Sequence, residues 1–88
     1  MPPLPKEVSR AVYQRDDWHC RHCNCSSSLT PHHVVFQSAG GSDTLDNLLT
    51  LCIKCHNDVH ERRLVVWVMK KTPKNLVVRF LRQEGWKP

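Results

Sequence analysis

Two Cys-x-x-Cys pairs, Cys20/Cys23 and Cys52/Cys55, with 28 residues between them, confine what this chain can fold into. A chain of 88 residues buries only a modest share of its surface and often needs a staple to hold one small core. Thiolate pairs at this spacing usually close a tetrahedral structural zinc, with sulfurs about 2.3 Å from the ion. The gap between the pairs exceeds the roughly 15–20 residues of a simple zinc ribbon, so something folded must sit inside it. Each pair should form a tight turn whose backbone amides point at sulfur. Five cysteines is an odd number, which suits metal ligation plus one spare thiol, Cys25, better than a disulfide framework. His19, His22 and Cys25 lie close enough in sequence to substitute as ligands.

Residues 1–5 carry three prolines and read as an extended tail; residues 6–88 read as one domain. Val8, Ala11 and Val12, at spacings of three and four, predict a short helix over 6–16, stopped by Asp16-Asp17. Leu29 to Phe36 predicts a strand, with Pro31 placing it at an edge or making its start irregular. The run from Ser38 to Asp43, with Gly40-Gly41, reads as a flexible connection, and Leu48 to Leu51 as a second strand. A helix is then expected from near Cys52, with His56, Val59, His60 and Arg63 on one face. The order is a ββα unit over about 29–63. Leu64 to Met69 predicts a further strand. Thr72-Pro73 predicts the start of a last helix, with Leu76, Val77, Phe80 and Leu81 as its apolar face and Gly85 as its stop.

Between the cysteine pairs stands His32-His33, and the second pair runs into His56 and His60. His56 and His60 are one helical turn apart, so both rings project from the same face and can reach one cation. Neighbours on a strand point to opposite sides, so one of His32 and His33 can ligate while the other faces a substrate. A histidine cluster with one ring to spare suggests a working metal with a base beside it. An all-imidazole set favours Zn2+, Ni2+, Co2+ or Mn2+ over Mg2+, although oxygens from phosphate and water leave Mg2+ open.

The formal charge is +5. Four thiolates and one zinc would bring it to roughly +3, and a second divalent ion back to roughly +5. Residues 54–82 hold Lys54, Arg62, Arg63, Lys70, Lys71, Lys74, Arg79 and Arg82 against Asp58 and Glu61 only. Such a basic half beside a metal site suits a polyanion, most simply nucleic acid, and a merely solvated surface would account for the charge equally well. No apolar run approaches the roughly 20 residues that span a bilayer, so no membrane partner is expected. The prolines at the start have neither the basic nor the apolar region of a secretory signal, which suggests a reducing interior.

His32-His33-Val34-Val35, Gly40-Gly41-Ser42-Asp43, Asp46 to Cys52, Cys55-His56 and His60 together resemble the HNH nuclease motif in its zinc-bearing form, over residues 18–60. The resemblance implies an α+β fold: a small ββα-metal (His-Me finger or HNH) domain stapled by a four-cysteine structural zinc at Cys20, Cys23, Cys52 and Cys55, with flanking helices and an extra strand. It implies hydrolysis of DNA phosphodiester bonds, with 5′-phosphate and 3′-hydroxyl products. By position, His33 matches the general base, and His32, His56 and His60 match ligands of one catalytic divalent cation. Asn47 matches a residue that braces the loop and orients the base.

A neutral histidine base would take a proton from water, so activity should fall as pH drops below the ordinary imidazole value of about 6.5. Lys54, Arg62 and Arg63 would flank the cut and clamp phosphates without reading bases, which implies low sequence preference. Trp18, Trp67 and Trp86 read as core or knuckle-cover residues rather than base-stacking platforms. Two rival readings stay open: a catalytically silent, zinc-stapled nucleic-acid-binding module, and a phage assembly component. By analogy at the level of fold, the chain fits a bacterial or phage nuclease acting in the cytoplasm. A phage packaging or other specificity-giving protein is then a further expected partner, and oligomeric state stays open.

Overall fold

The computed structural model describes residues 4–35, 39–72 and 74–82. Helix α1 runs Lys6–Arg15 and buries Val12 completely. It stops where Asp17 and Trp18 take left-handed φ angles of 58° and 57°, a conformation that halts an α-helix of L-residues. The expected strand after the first knuckle is β1, Leu29–His33. A short 3-10 turn, Leu45–Asn47, leads into β2, Leu48–Cys52, and β2 into helix α2, Ile53–His60. β1 and β2 pair antiparallel from Leu29↔Cys52 to His33↔Leu48. Pro31 is tolerated because β1 has no second neighbour in this two-stranded sheet.

Every residue of β2 is buried, because α1 and α2 both pack on this strand and its partner. Leu48, Leu49 and Leu51 are fully buried, each contributing on the order of 1.5–3 kcal/mol relative to exposure. The core joins Leu49, Leu51, Leu64 and Leu76 with Cys20, Cys52 and Cys55. The sulfur cluster is therefore part of the apolar interior.

The ββα unit closes with a Schellman motif. The Arg62 amide donates to the Val59 carbonyl and the Arg63 amide to the Asp58 carbonyl. Arg62 itself sits at φ 62°, in the left-handed position that glycine usually takes.

After it, β3 (Leu64–Lys71) and β4 (Leu76–Arg82) form an antiparallel hairpin, with a register shift between Val68 and Lys70. β4 overturns the expected last helix; Pro73 and Gly85 lie outside the described residues. Its apolar residues fit both periods, since Leu76, Val77, Phe80 and Leu81 suit a helix while Leu76, Val78 and Phe80 alternate as in a strand. Packing decides: Leu76 is buried and Val78 and Phe80 pack on the core, whereas Val77 and Leu81 face outward. Thr72 does cap an amide, since its hydroxyl accepts from Asn75 N at 3.0 Å, but the capped segment is the hairpin turn. One flanking helix and a hairpin thus replace the expected flanking helices and single extra strand.

Two tryptophans also depart from expectation. Trp18 is 47% exposed, its ring against Tyr13, and Trp67 is 56% exposed; Trp86 lies outside the described residues. Asp16, read from sequence only as a helix stop, is a buried hub. Its carboxylate accepts from Arg15, Arg21 and the Thr50 amide at 2.8–3.1 Å, tying α1 to β2. Burial alone would raise its pKa. Hydrogen bonds from Arg15 and Thr50 and the two guanidinium charges outweigh that and hold it below the usual carboxylate range.

Candidate metal centres

Cys20 and Cys23 come from the turn after α1, Cys52 from the end of β2, and Cys55 from the first turn of α2. Their sulfurs all lie within 4.8 Å of one another. Cys23 Sγ and Cys52 Sγ are 3.6 Å apart. A tetrahedron with metal–sulfur distances of about 2.3 Å has an edge of about 3.8 Å, so the spacing fits a shared ion. It is far too long for a disulfide bond of about 2.0 Å. The amides of His22 and Cys23 point at Cys20 Sγ from 3.4 and 3.5 Å, the expected knuckle geometry.

Electrostatics agree with a cation-binding site. Burial pushes the Cys55 thiol well up, reinforced by the neighbouring sulfurs, while a hydrogen bond from the Cys25 amide leads those that hold Cys23 down to about 6. Three of the four cysteines are buried, and four thiolates gathered there would require a counter-charge. His22 stands beside the cluster, with Nδ1 3.3 Å from Cys55 Sγ and its ring edge-on to Phe80 of β4. Neither it, His19 nor Cys25 belongs to the four-sulfur group.

A second cluster joins α2 to β1. His32 from β1 and His56 and His60 from α2 bring one ring nitrogen each within 4.8 Å of the others. His56 and His60 stack with ring centroids 4.6 Å apart, and their Nε2 atoms are 2.9 Å apart. The His32 ring meets His56 edge-on at 5.0 Å and lies 6.0 Å from His60. Burial chiefly, then the charges of His56, His60 and His33, lower the His32 pKa to about 3. Burial also lowers that of His56, with His60 and His33 adding to it. His32 and His56 are therefore neutral at pH 7 and offer lone pairs. Three crowded imidazoles with no acid among them form a donor set that one N–H···N bond cannot satisfy and one divalent cation can.

His33, the next residue along β1, takes no part in that cluster and turns to the loop before β2. Its Nε2 lies 2.7 Å from Asp43 Oδ1. A carboxylate only accepts, so Nε2 carries the proton and Nδ1 keeps a lone pair. Asp43 stood in the sequence motif without a role; what marks it is position in three dimensions, ten residues from His33 yet in contact.

Asn47 is fully buried and clamps this loop. Its Oδ1 accepts from Val35 N at 2.8 Å, and its Nδ2 donates to Val35 O at 3.0 Å and Ser42 O at 2.8 Å. Its main-chain oxygen also accepts from Val34 N. Those bonds end β1 at His33 instead of the expected Phe36, which lies outside the described residues. They also bring the segment carrying Asp43 back to His33.

The three expected phosphate clamps separate. Arg62 lines a hollow of about 370 Å3 with His32, Val34, Val59 and the start of β3. Arg63 faces acids instead, 3.0 Å from Glu61 and 3.9 Å from Asp58. Lys54 is exposed on the first turn of α2 and does not line that hollow.

Residues 20–62, spanning both clusters, match the family model for HNH endonuclease. That stretch, just under half of the chain, is what is similar to the HNH endonuclease family. Anaredoxin of Nostoc sp. is 29% identical over 62 residues, which are 69% of this chain and 82% of that protein. The type IV methyl-directed restriction enzyme EcoKMcrA of Escherichia coli is 50% identical over 32 residues, 36% of this chain. The matched stretch is only 12% of that enzyme's length. No solved structure matches the chain. Among the described residues, no helix is long and apolar enough to cross a membrane.

Proposed function

We propose that this chain is a metal-dependent HNH endonuclease that hydrolyses DNA phosphodiester bonds with little sequence preference. The observation that carries the reading is one constellation. Three imidazoles converge within 4.8 Å while a fourth, His33, is held apart by Asp43 with its Nδ1 lone pair available. A silent binding module has no use for that division of labour.

When bound by His32, His56 and His60, a divalent cation would supply positive charge to a non-bridging phosphate oxygen and to the departing 3′-oxygen. Everything else falls to side chains. His33 Nδ1 takes a proton from water as its oxygen bonds to phosphorus; the P–O3′ bond breaks and the 3′-oxygen takes a proton from solvent. Asp43 fixes the tautomer and steadies the imidazolium that forms, and Asn47 holds the loop that presents Asp43. Arg62, in a backbone conformation that costs a non-glycine residue free energy, places its charge beside the cluster, where it can hold a flanking phosphate. The sulfur cluster, loaded with zinc, ties the turn before β1 to the start of α2 and so keeps both histidine-bearing elements in register.

Plasmid nicking with Mg2+, Mn2+, Zn2+, Ni2+ and Co2+ in turn, followed from pH 5 to 8, tests this. The sign is fixed by protonation. Burial lowers the pKa of His32, to about 3, and also that of His56, which favours their neutral, ligating forms. A base must be neutral to accept a proton, so acidification should lower activity. Nicking should require one of these ions and fall toward the acid end of that range. A flat profile contradicts a histidine base. A folded, zinc-loaded protein inert with every ion contradicts the nuclease.

A further inference from the structure

The β3–β4 hairpin leaves one face uncovered. Cross-strand partners share a face, so Val65↔Leu81 and Trp67↔Arg79 point the same way. Trp67 is 56% exposed, Met69 60%, Leu81 49% and Val77 45%. Trp67, Met69, Arg79 and Leu81 together line a shallow hollow of about 330 Å3. Leaving a tryptophan and its apolar neighbours in water is costly unless something covers them.

Charge identifies the cover. Residues 62–82 hold seven Lys or Arg (Arg62, Arg63, Lys70, Lys71, Lys74, Arg79 and Arg82) and no Asp or Glu. A second copy of this chain would bring an equal positive charge against it, so the occupant is a polyanion that also carries flat apolar groups. Position narrows the choice further. Val65 and Val66, at the start of β3, line the hollow shared by His32 and Arg62. Trp67 lies two residues beyond Val65 on the same strand face, about 7 Å along the strand. A strand entering the histidine cluster thus runs directly onto this platform, which an anionic lipid surface has no reason to do.

We infer that the Trp67–Arg79 face of the hairpin stacks an unpaired base of the nucleic-acid strand whose phosphate lies at the histidine cluster. This rests on nucleic acid being the substrate and names its form: single-stranded or locally opened, rather than continuous duplex. Stacking on an aromatic ring is indifferent to base identity, because every base presents a π face, and the Arg79 guanidinium adds charge beside the ring. In a closed duplex the base faces are already stacked and unavailable to Trp67.

The test is binding, not cleavage. The full chain, zinc-loaded and without further added metal, is titrated against a labelled oligo-dT strand and a labelled duplex of equal length. Trp67→Ala should weaken single-strand binding about tenfold, Trp67→Phe should restore most of it, and duplex binding should stay within about twofold. Arg79→Ala, an independent probe should Trp67→Ala misfold, should lower the slope of log affinity against log salt by about one. Unchanged single-strand affinity in a folded Trp67→Ala overturns the inference, as does equal loss for both DNAs. It also falls if Trp67→Ala abolishes only binding to phosphatidylserine vesicles, or only a dimer seen by sedimentation. Because no cleavage is needed, the platform can be confirmed in a protein that fails the nicking assay, and nicking can succeed where the platform fails.

Discussion

A chain with Cys52→Ser is expected to lose its zinc and its fold together. Cys52 is the last residue of β2 and the residue before α2, 5% exposed, and opposite Leu29 across the ladder. Its sulfur stands 3.6 Å from that of Cys23, so one side chain joins the first knuckle, the sheet and the metal-site helix. The apolar core around it comprises a handful of leucines and the sulfurs themselves. Structural zinc contributes on the order of 10–16 kcal/mol to small zinc domains, against a net stability of about 5–15 kcal/mol for ordinary folded ones. Weakening the site by one thiolate therefore removes more than a core this small can supply. Zinc per chain should drop from about one to near zero, and the helical circular dichroism signal should collapse. A variant with native ellipticity and no zinc would show that the sulfurs are core residues and nothing more.

The second large effect is on rate alone. His33→Ala should lower nicking by about 10²–10⁴-fold, the usual contribution of a positioned general base. Its melting temperature and zinc content should stay close to those of the parent. The separation follows from location: the His33 side chain bonds Asp43, itself 39% exposed, and lies outside the buried cluster. Losing one such partly exposed hydrogen bond costs about 1 kcal/mol. Retained activity in this variant would remove His33 from the chemistry. Unfolding would make it a structural residue.

The cysteine and histidine clusters were legible in the sequence because both depend on short-range spacing. Cys-x-x-Cys makes a knuckle wherever it occurs, and histidines four apart on a helix share a face. The ββα order followed from the same local patterns. What escaped depended on distant partners. Leu76 to Leu81 satisfy two periods at once, and only the unpaired edge of β3 and the core contacts of Leu76 make them a strand. Asp43 and Asp16 are ordinary loop acids until folding places a histidine against one and two arginines and an amide against the other. Trp67 looked like core because tryptophan usually is; its exposure follows from the hairpin that replaced the expected helix.

The account turns on three rings sharing one cation while the fourth stays out. Imidazole 15N spectra of the zinc-stapled protein, titrated with further Zn2+, observe this directly. The account predicts that His32, His56 and His60 shift together and saturate at one added equivalent, while the His33 ring nitrogens do not respond to the added ion. Saturation of His33 alongside them, or silence from any of the three, would contradict it.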